Sequence, residues 1–138
     1  MSKIKTVGIV GTGVIGTGWI IRNLAHNKIV HAYDQNKNLK SYVLKEIKRT
    51  SKSIKKLFGK KILIKNLKFF NSLEKALSNV DFVQESVLEN YKVKTDLIQK
   101  ISKYVKSNVI ISSSSSGLLP SKIFSKCKNP QRGIIGHP

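Results

Sequence analysis

Three groups of residues have the types and spacing that chemistry requires. The first is Gly11-Thr-Gly-Val-Ile-Gly16, which closes an apolar run begun at Val7 and leads straight into a helix pattern. About 20 residues later, His31-Ala-Tyr-Asp34 ends a second short apolar run on a carboxylate. Gly11 suits a tight turn out of a strand, Gly13 lets backbone approach a pyrophosphate, and Gly16 lets a helix pack closely on a sheet. The free N–H groups of Gly13, Val14 and Ile15 would then face phosphate at a helix N-terminus, where the partial charge is positive. Asp34 would accept hydrogen bonds from ribose hydroxyls and repel an additional 2′-phosphate, which selects NAD over NADP as the cofactor. The competing account is a glycine turn that opens a helix by chance, with Asp34 a solvated turn residue. Strand, helix, second strand and terminal acid in this order favour the dinucleotide.

The second group is Glu89 and Lys94, which follow the apolar stretch ending at Gln84. The third comprises the serine run Ser112–Ser116 and the terminal Gly136-His137-Pro138. Each has a plain structural explanation. Glu89 and Lys94 suit a first-turn acid and a solvated lysine, the serines suit turn and capping chemistry, and His137 suits a structural role at a strand end. Their significance depends on whether the fold brings them to one edge.

The elements that must do so alternate. Strands are expected over Lys3–Val10, Ile29–Asp34, near Leu67–Phe70, and over Val80–Gln84, Asn108–Ser112 and Arg132–Gly136. Helices are expected over Val14–His26, Asn36 to Phe58, from a Ser72 N-cap, Tyr91 to Lys106 and Pro120–Lys126. Val93, Leu97, Ile101 and Val105 mark one face of the fourth helix. This alternation predicts an α/β fold, a doubly wound and mostly parallel sheet with helices on both faces. In such sheets ligands bind beyond the carboxyl ends of the strands. All three residue groups fall at those ends.

The chain has 138 residues and 40% hydrophobic content, enough for one domain with a core. A single cysteine, Cys127, excludes an internal disulfide and a cysteine metal site, so no metal is expected and a reducing, cytoplasmic compartment is. No apolar run is long enough for a membrane span. The formal charge is +19, from 26 Lys and Arg against 7 acids. Its lysines spread over most helices and loops rather than forming an arginine-rich, aromatic-interleaved face. They read as a solvated surface rather than a specific nucleic-acid site.

The chain resembles the NAD-binding domain of the 3-hydroxyacyl-CoA dehydrogenase superfamily, a Rossmann-type fold, over its whole length. It is most similar to the branch holding L-carnitine dehydrogenase and lambda-crystallin type L-gulonate 3-dehydrogenase. Gly11–Trp19, Phe82–Ser86, Glu89-Asn90, Ser112–Gly117 with Leu118–Ser121, and Gly136–Pro138 carry the likeness. The resemblance implies that Glu89 and Lys94 contact the nicotinamide half of NAD and that Ser116 hydrogen-bonds the substrate oxygen. It implies that His137 is the general base in oxidation of a secondary alcohol on a small hydroxy acid or an acyl-CoA. It also implies a helical C-terminal domain, absent from this chain, that completes the substrate pocket and forms a homodimer, and a glutamate beyond position 138 that orients the histidine. The expectation is therefore a truncated product spanning 1–138, which binds NAD and turns over little substrate alone. Two alternatives remain at this level: a non-catalytic NAD-binding remnant or sensor, and a polyanion-binding protein.

Overall fold

The computed structural model describes residues 4–138, so the expected start of the first strand at Lys3 lies outside the described residues. The observed elements are β1 Thr6–Val10, α1 Val14–Ala25, β2 Ile29–Tyr33, α2 Leu39–Phe58, β3 Leu67–Phe69 and α3 Leu73–Leu77, followed by β4 Phe82–Glu85, α4 Tyr91–Tyr104, β5 Ile110–Ser113, α5 Pro120–Ile123 and β6 Gly133–Ile135. Short 3-10 turns at Ile64–Asn66 and Pro130–Arg132 complete the chain. The sheet has six strands in the order β3-β2-β1-β4-β5-β6, and every pair is parallel.

Burial on both faces follows from the period of two. In β1, Val7 and Ile9 face one core with Ile20, Leu24, Val43 and Ile47 of α1 and α2. Val10 faces the other core, with Leu77, Ile98, Ile101 and Ile123 of α3, α4 and α5. Both faces of the sheet are thus covered, as an all-parallel sheet requires, and each buried aliphatic side chain adds about 1.5–3 kcal/mol. The long α2 buries completely only Val43 and Ile47 and presents its lysines outward.

The element ends differ from the sequence expectation where side chains compete with the backbone. The α2 helix begins at Leu39 rather than Asn36, because Asp34 Oδ1 accepts from Asn36 N and Asn36 Oδ1 accepts from Asn38 N. Those two side-chain turns hold Asn36–Asn38 in a local alternative to the helix. Ser72 does cap α3, its Oγ accepting from Lys75 N. The buried residues of α4 are Lys94, Ile98, Ile101 and Ser102; of the expected stripe, Ile101 is buried, Leu97 and Val105 pack partly buried on the same core, and Val93 is 42% exposed.

Candidate cofactor and catalytic site

The chain leaves β1 through the glycine turn. Gly11 has φ +87°, a conformation that L side chains rarely adopt, and any side chain there would strike the Ser86 backbone. A Cβ on Gly16 would overlap the Gly11 carbonyl oxygen, so α1 approaches the turn only because that Cβ is missing. Gly13 differs from both. Nothing lies within 4 Å of where its Cβ would stand, and its backbone opens α1 as the N-cap without any side-chain cap bond. The protein's own packing leaves this space open, and it lies at a helix N-terminus suited to an anion. Val14 and Ile15 follow, 74% and 44% exposed.

Asp34 locks onto the same turn. Its Oδ2 accepts from Thr12 N at 2.6 Å and from Thr12 Oγ1 at 3.3 Å, while Oδ1 accepts from Asn36 N at 2.8 Å. The carboxylate keeps further lone pairs for ribose hydroxyls. Gly11, Gly13, Asp34, Ser86 and Leu97 share a cleft of about 780 Å³ between the carboxyl ends of β1, β2 and β4. A cradle without side chains at the pyrophosphate position and an acid at the far strand, both lining one cleft, fit NAD.

A second construction occupies the ends of β4 and β5. Glu85 and Lys94 are both fully buried, with Lys94 Nζ 2.8 and 3.1 Å from the two carboxylate oxygens. The ammonium also donates to the Val87 carbonyl at 3.1 Å and lies 3.5 Å from Glu89 Oε2. Glu85 in turn accepts from Ser113 Oγ at 2.6 Å and Val87 N at 2.6 Å. Two buried ions with their hydrogen bonds filled are tolerable; either alone is not. The structure thus places Lys94 inside the wall rather than against the cofactor cleft.

Glu89 extends this network outward. Its Oε1 accepts from Ser115 Oγ at 2.6 Å, Ser116 N at 2.9 Å and Gly117 N at 3.1 Å, so one carboxylate organises the whole loop after β5. Burial pushes this carboxyl upward. Hydrogen bonds from Ser115, Gly117 and Ser116, with the nearby Lys94 charge, outweigh it and bring Glu89 down to about 2. Ser116 itself is exposed and its N–H is anchored on Glu89.

His137 lies two residues beyond β6, also exposed. The strand end before it is fixed by Gly136 N donating to Ser113 O at 2.9 Å and by Gln84 Nε2 donating to Gly136 O at 3.2 Å. Sequence reasoning missed Glu85 and Gln84 as participants and took Ser113 and Ser114 only as members of the serine run. The available signal was a carboxylate and amide at the end of a buried strand, which demand buried partners. Among the described residues no cluster of three or more His, Cys, Asp or Glu could hold a metal ion, and no helix is long and apolar enough to cross a membrane.

Residues 6–138 match the NAD-binding domain of 3-hydroxyacyl-CoA dehydrogenase. The chain is 37% identical to L-carnitine dehydrogenase of Pseudomonas putida over 139 aligned positions, covering all of this chain and 43% of that enzyme. Among solved structures it is similar to a diketoreductase, with a TM-score of 0.89 and 24% identity over 99% of this chain and 50% of the other. It is also similar to (S)-3-hydroxybutyryl-CoA dehydrogenase of Ralstonia eutropha, with a TM-score of 0.85 and 28% identity over 98% of this chain and 49% of that one. The chain spans less than half the length of the curated L-carnitine dehydrogenases it matches.

Proposed function

Since the chain belongs to the 3-hydroxyacyl-CoA dehydrogenase family through its NAD-binding domain, we propose that it is the cofactor-holding part of an NAD-dependent dehydrogenase. The substrate is a 3-hydroxy compound, either a small carnitine-like or gulonate-like hydroxy acid or a 3-hydroxyacyl-CoA. The 37% identity to an L-carnitine dehydrogenase supports the hydroxy-acid class. One observation carries the reading. Strands β1, β4, β5 and β6 lie side by side in that order, and Ser113 is paired with Ile135, so Ser116 and His137 leave adjacent strands at nearly the same height. They do so on the edge that carries the glycine turn.

In this reading Gly13, Val14 and Ile15 present N–H groups to the pyrophosphate, with Gly11 and Gly16 shaping the turn, and Asp34 holds the adenosine ribose. Bound NAD supplies the hydride acceptor at its nicotinamide ring. His137 takes the proton of the substrate hydroxyl at an imidazole nitrogen and returns it in the reverse direction. Ser116 orients and polarises the same oxygen, held in place through its N–H on Glu89. Lys94 acts through Glu89 and Glu85 as a positioning residue, with Glu89 nearest the nicotinamide half.

A titration calorimetry series tests this. The chain should bind NAD at least about tenfold more tightly than NADP, because Asp34 meets the additional phosphate. Equal affinity for the two would sink the assignment of Asp34. NADH formation by the chain alone should be slight with carnitine, gulonate or 3-hydroxybutyryl-CoA, and robust turnover would overturn this division of labour. A second reading, a cofactor-binding module without catalysis, draws on His137, whose imidazole has no hydrogen-bond partner among the described residues. Restoring turnover by adding the downstream part of a relative, and losing it with His137→Ala, would exclude that reading.

A further inference from the structure

Ser114, just past β5, joins three side chains that the reaction above does not use. Its Oγ is 3.2 Å from Trp19 Nε1, 2.7 Å from Gln84 Nε2 and 2.8 Å from Ser86 Oγ. The donor chemistry fixes the protons. An indole N–H only donates. The Gln84 amide is oriented by its second contact, because the same nitrogen lies 3.2 Å from the Gly136 carbonyl oxygen, which only accepts. Two donors therefore fill both lone pairs of Ser114 Oγ, and its own hydrogen goes to Ser86.

Ser86 accepts in that bond, so its own hydrogen must point elsewhere. No other side-chain partner meets it among the described residues. Ser86 lines the cofactor cleft together with Gly11 and Gly13. Its backbone is what a side chain on Gly11 would strike, and its Cβ stands 3.6 Å from the point where a Gly16 Cβ would be. A donor aimed by three other residues thus stands beside the glycine turn, on the β4 side of the cradle.

The geometry points to Ser86 as a hydrogen-bond donor to a pyrophosphate oxygen of the bound dinucleotide, its direction set by Trp19 and Gln84 through Ser114. This rests on the cofactor reading above and adds a side-chain contact to a cradle otherwise made of backbone amides. A charged acceptor makes such a bond stronger than a neutral one. It also ties the indole of Trp19, the one tryptophan of the chain, to ligand binding through two hydroxyls.

The test is titration with NAD and with ADP-ribose, which lacks the nicotinamide, read by calorimetry and by Trp19 emission. Ser86→Ala and the near-isosteric Ser86→Cys should each weaken both ligands about tenfold. Ser114→Ala, which cuts the relay but leaves the Ser86 donor, should weaken them less, by roughly threefold. Binding should shift Trp19 emission in the parent chain, and the shift should shrink in the Ser86 variants. Circular dichroism identifies a variant that fails to fold, in which case Ser86→Cys decides. Affinity within twofold of the parent in Ser86→Cys overturns the proposal, as does a loss confined to NAD, which would move the acceptor to the nicotinamide half. A parent chain that binds neither ligand overturns the cofactor reading itself.

Discussion

At the carboxyl end of β1 the chain offers backbone: a left-handed glycine, a helix N-terminus and an open space where a Cβ would be. At the ends of β4 and β5 it offers side chains, two buried ions closed by one serine hydroxyl and a carboxylate holding a loop by three hydrogen bonds. The first region works by the absence of atoms, so it tolerates no additions. The second works by matched charges, so it tolerates no deletions. A dinucleotide pyrophosphate needs many equivalent N–H groups, which backbone supplies, whereas a reacting oxygen needs particular groups at particular points, which only fixed side chains supply.

Four substitutions or conditions separate the two modes of construction. Lys94→Met should have the largest effect, because it leaves the Glu85 carboxylate buried without its cation. A loss of about 3–5 kcal/mol in urea unfolding is expected, and Glu85→Gln added to it should recover part of that. Gly16→Ala comes next, at about 1–3 kcal/mol, since its methyl overlaps the Gly11 carbonyl and one backbone must shift. If Gly16→Ala proved neutral by thermal melting, the close approach of α1 to the turn would be wrong. Gly13→Ala should change stability by less than about 1 kcal/mol, because nothing crowds the new methyl, yet weaken NAD by about tenfold in calorimetry. A Gly13→Ala chain that binds NAD normally would remove the pyrophosphate from the cradle.

The smallest effect is on the Glu89 loop. Its carboxyl is lowered from 4.5 to about 2, so the folded state binds its proton less readily than the unfolded chain does. The stability it contributes is complete above about pH 4.5 and is lost as pH falls towards 2. The group is partly exposed, so solvent screening keeps that contribution below about 1 kcal/mol. Amide exchange at Ser116 and Gly117 should accelerate across this window, and Glu89→Gln should abolish the pH dependence.

The same contrast decides what could be read from the sequence. The glycine turn was legible because its function is local: Gly11, Gly13 and Gly16 act within one turn, and Asp34 closes the next strand. The alternation of elements and the Ser72 cap were legible for the same reason. Lys94 was not. Its spacing from Glu89 suits one helix turn and its vicinity, but its principal partner Glu85 lies in the preceding strand and becomes visible only when the helix is laid on the sheet. The exposure of Val93 belongs to the same arrangement, since the neighbouring Lys94 takes the inward position. The Ser114 junction was least accessible, since Trp19 and Ser114 lie far apart in the chain and meet across the sheet edge.

The strand order has a consequence for how this chain reaches its structure. Central β1 pairs with nearby β2 on one side, but on the other Val7 meets Phe82, more than half the chain away. Closing that separation loses chain entropy before any ladder bond forms, so β1–β2–β3 with α1 can assemble early while the junction with β4 waits. Ser86, Glu85 and the Gly11 turn meet across that late junction. The cofactor cleft is thus a product of the final docking step, and NAD should accelerate refolding little while slowing unfolding markedly.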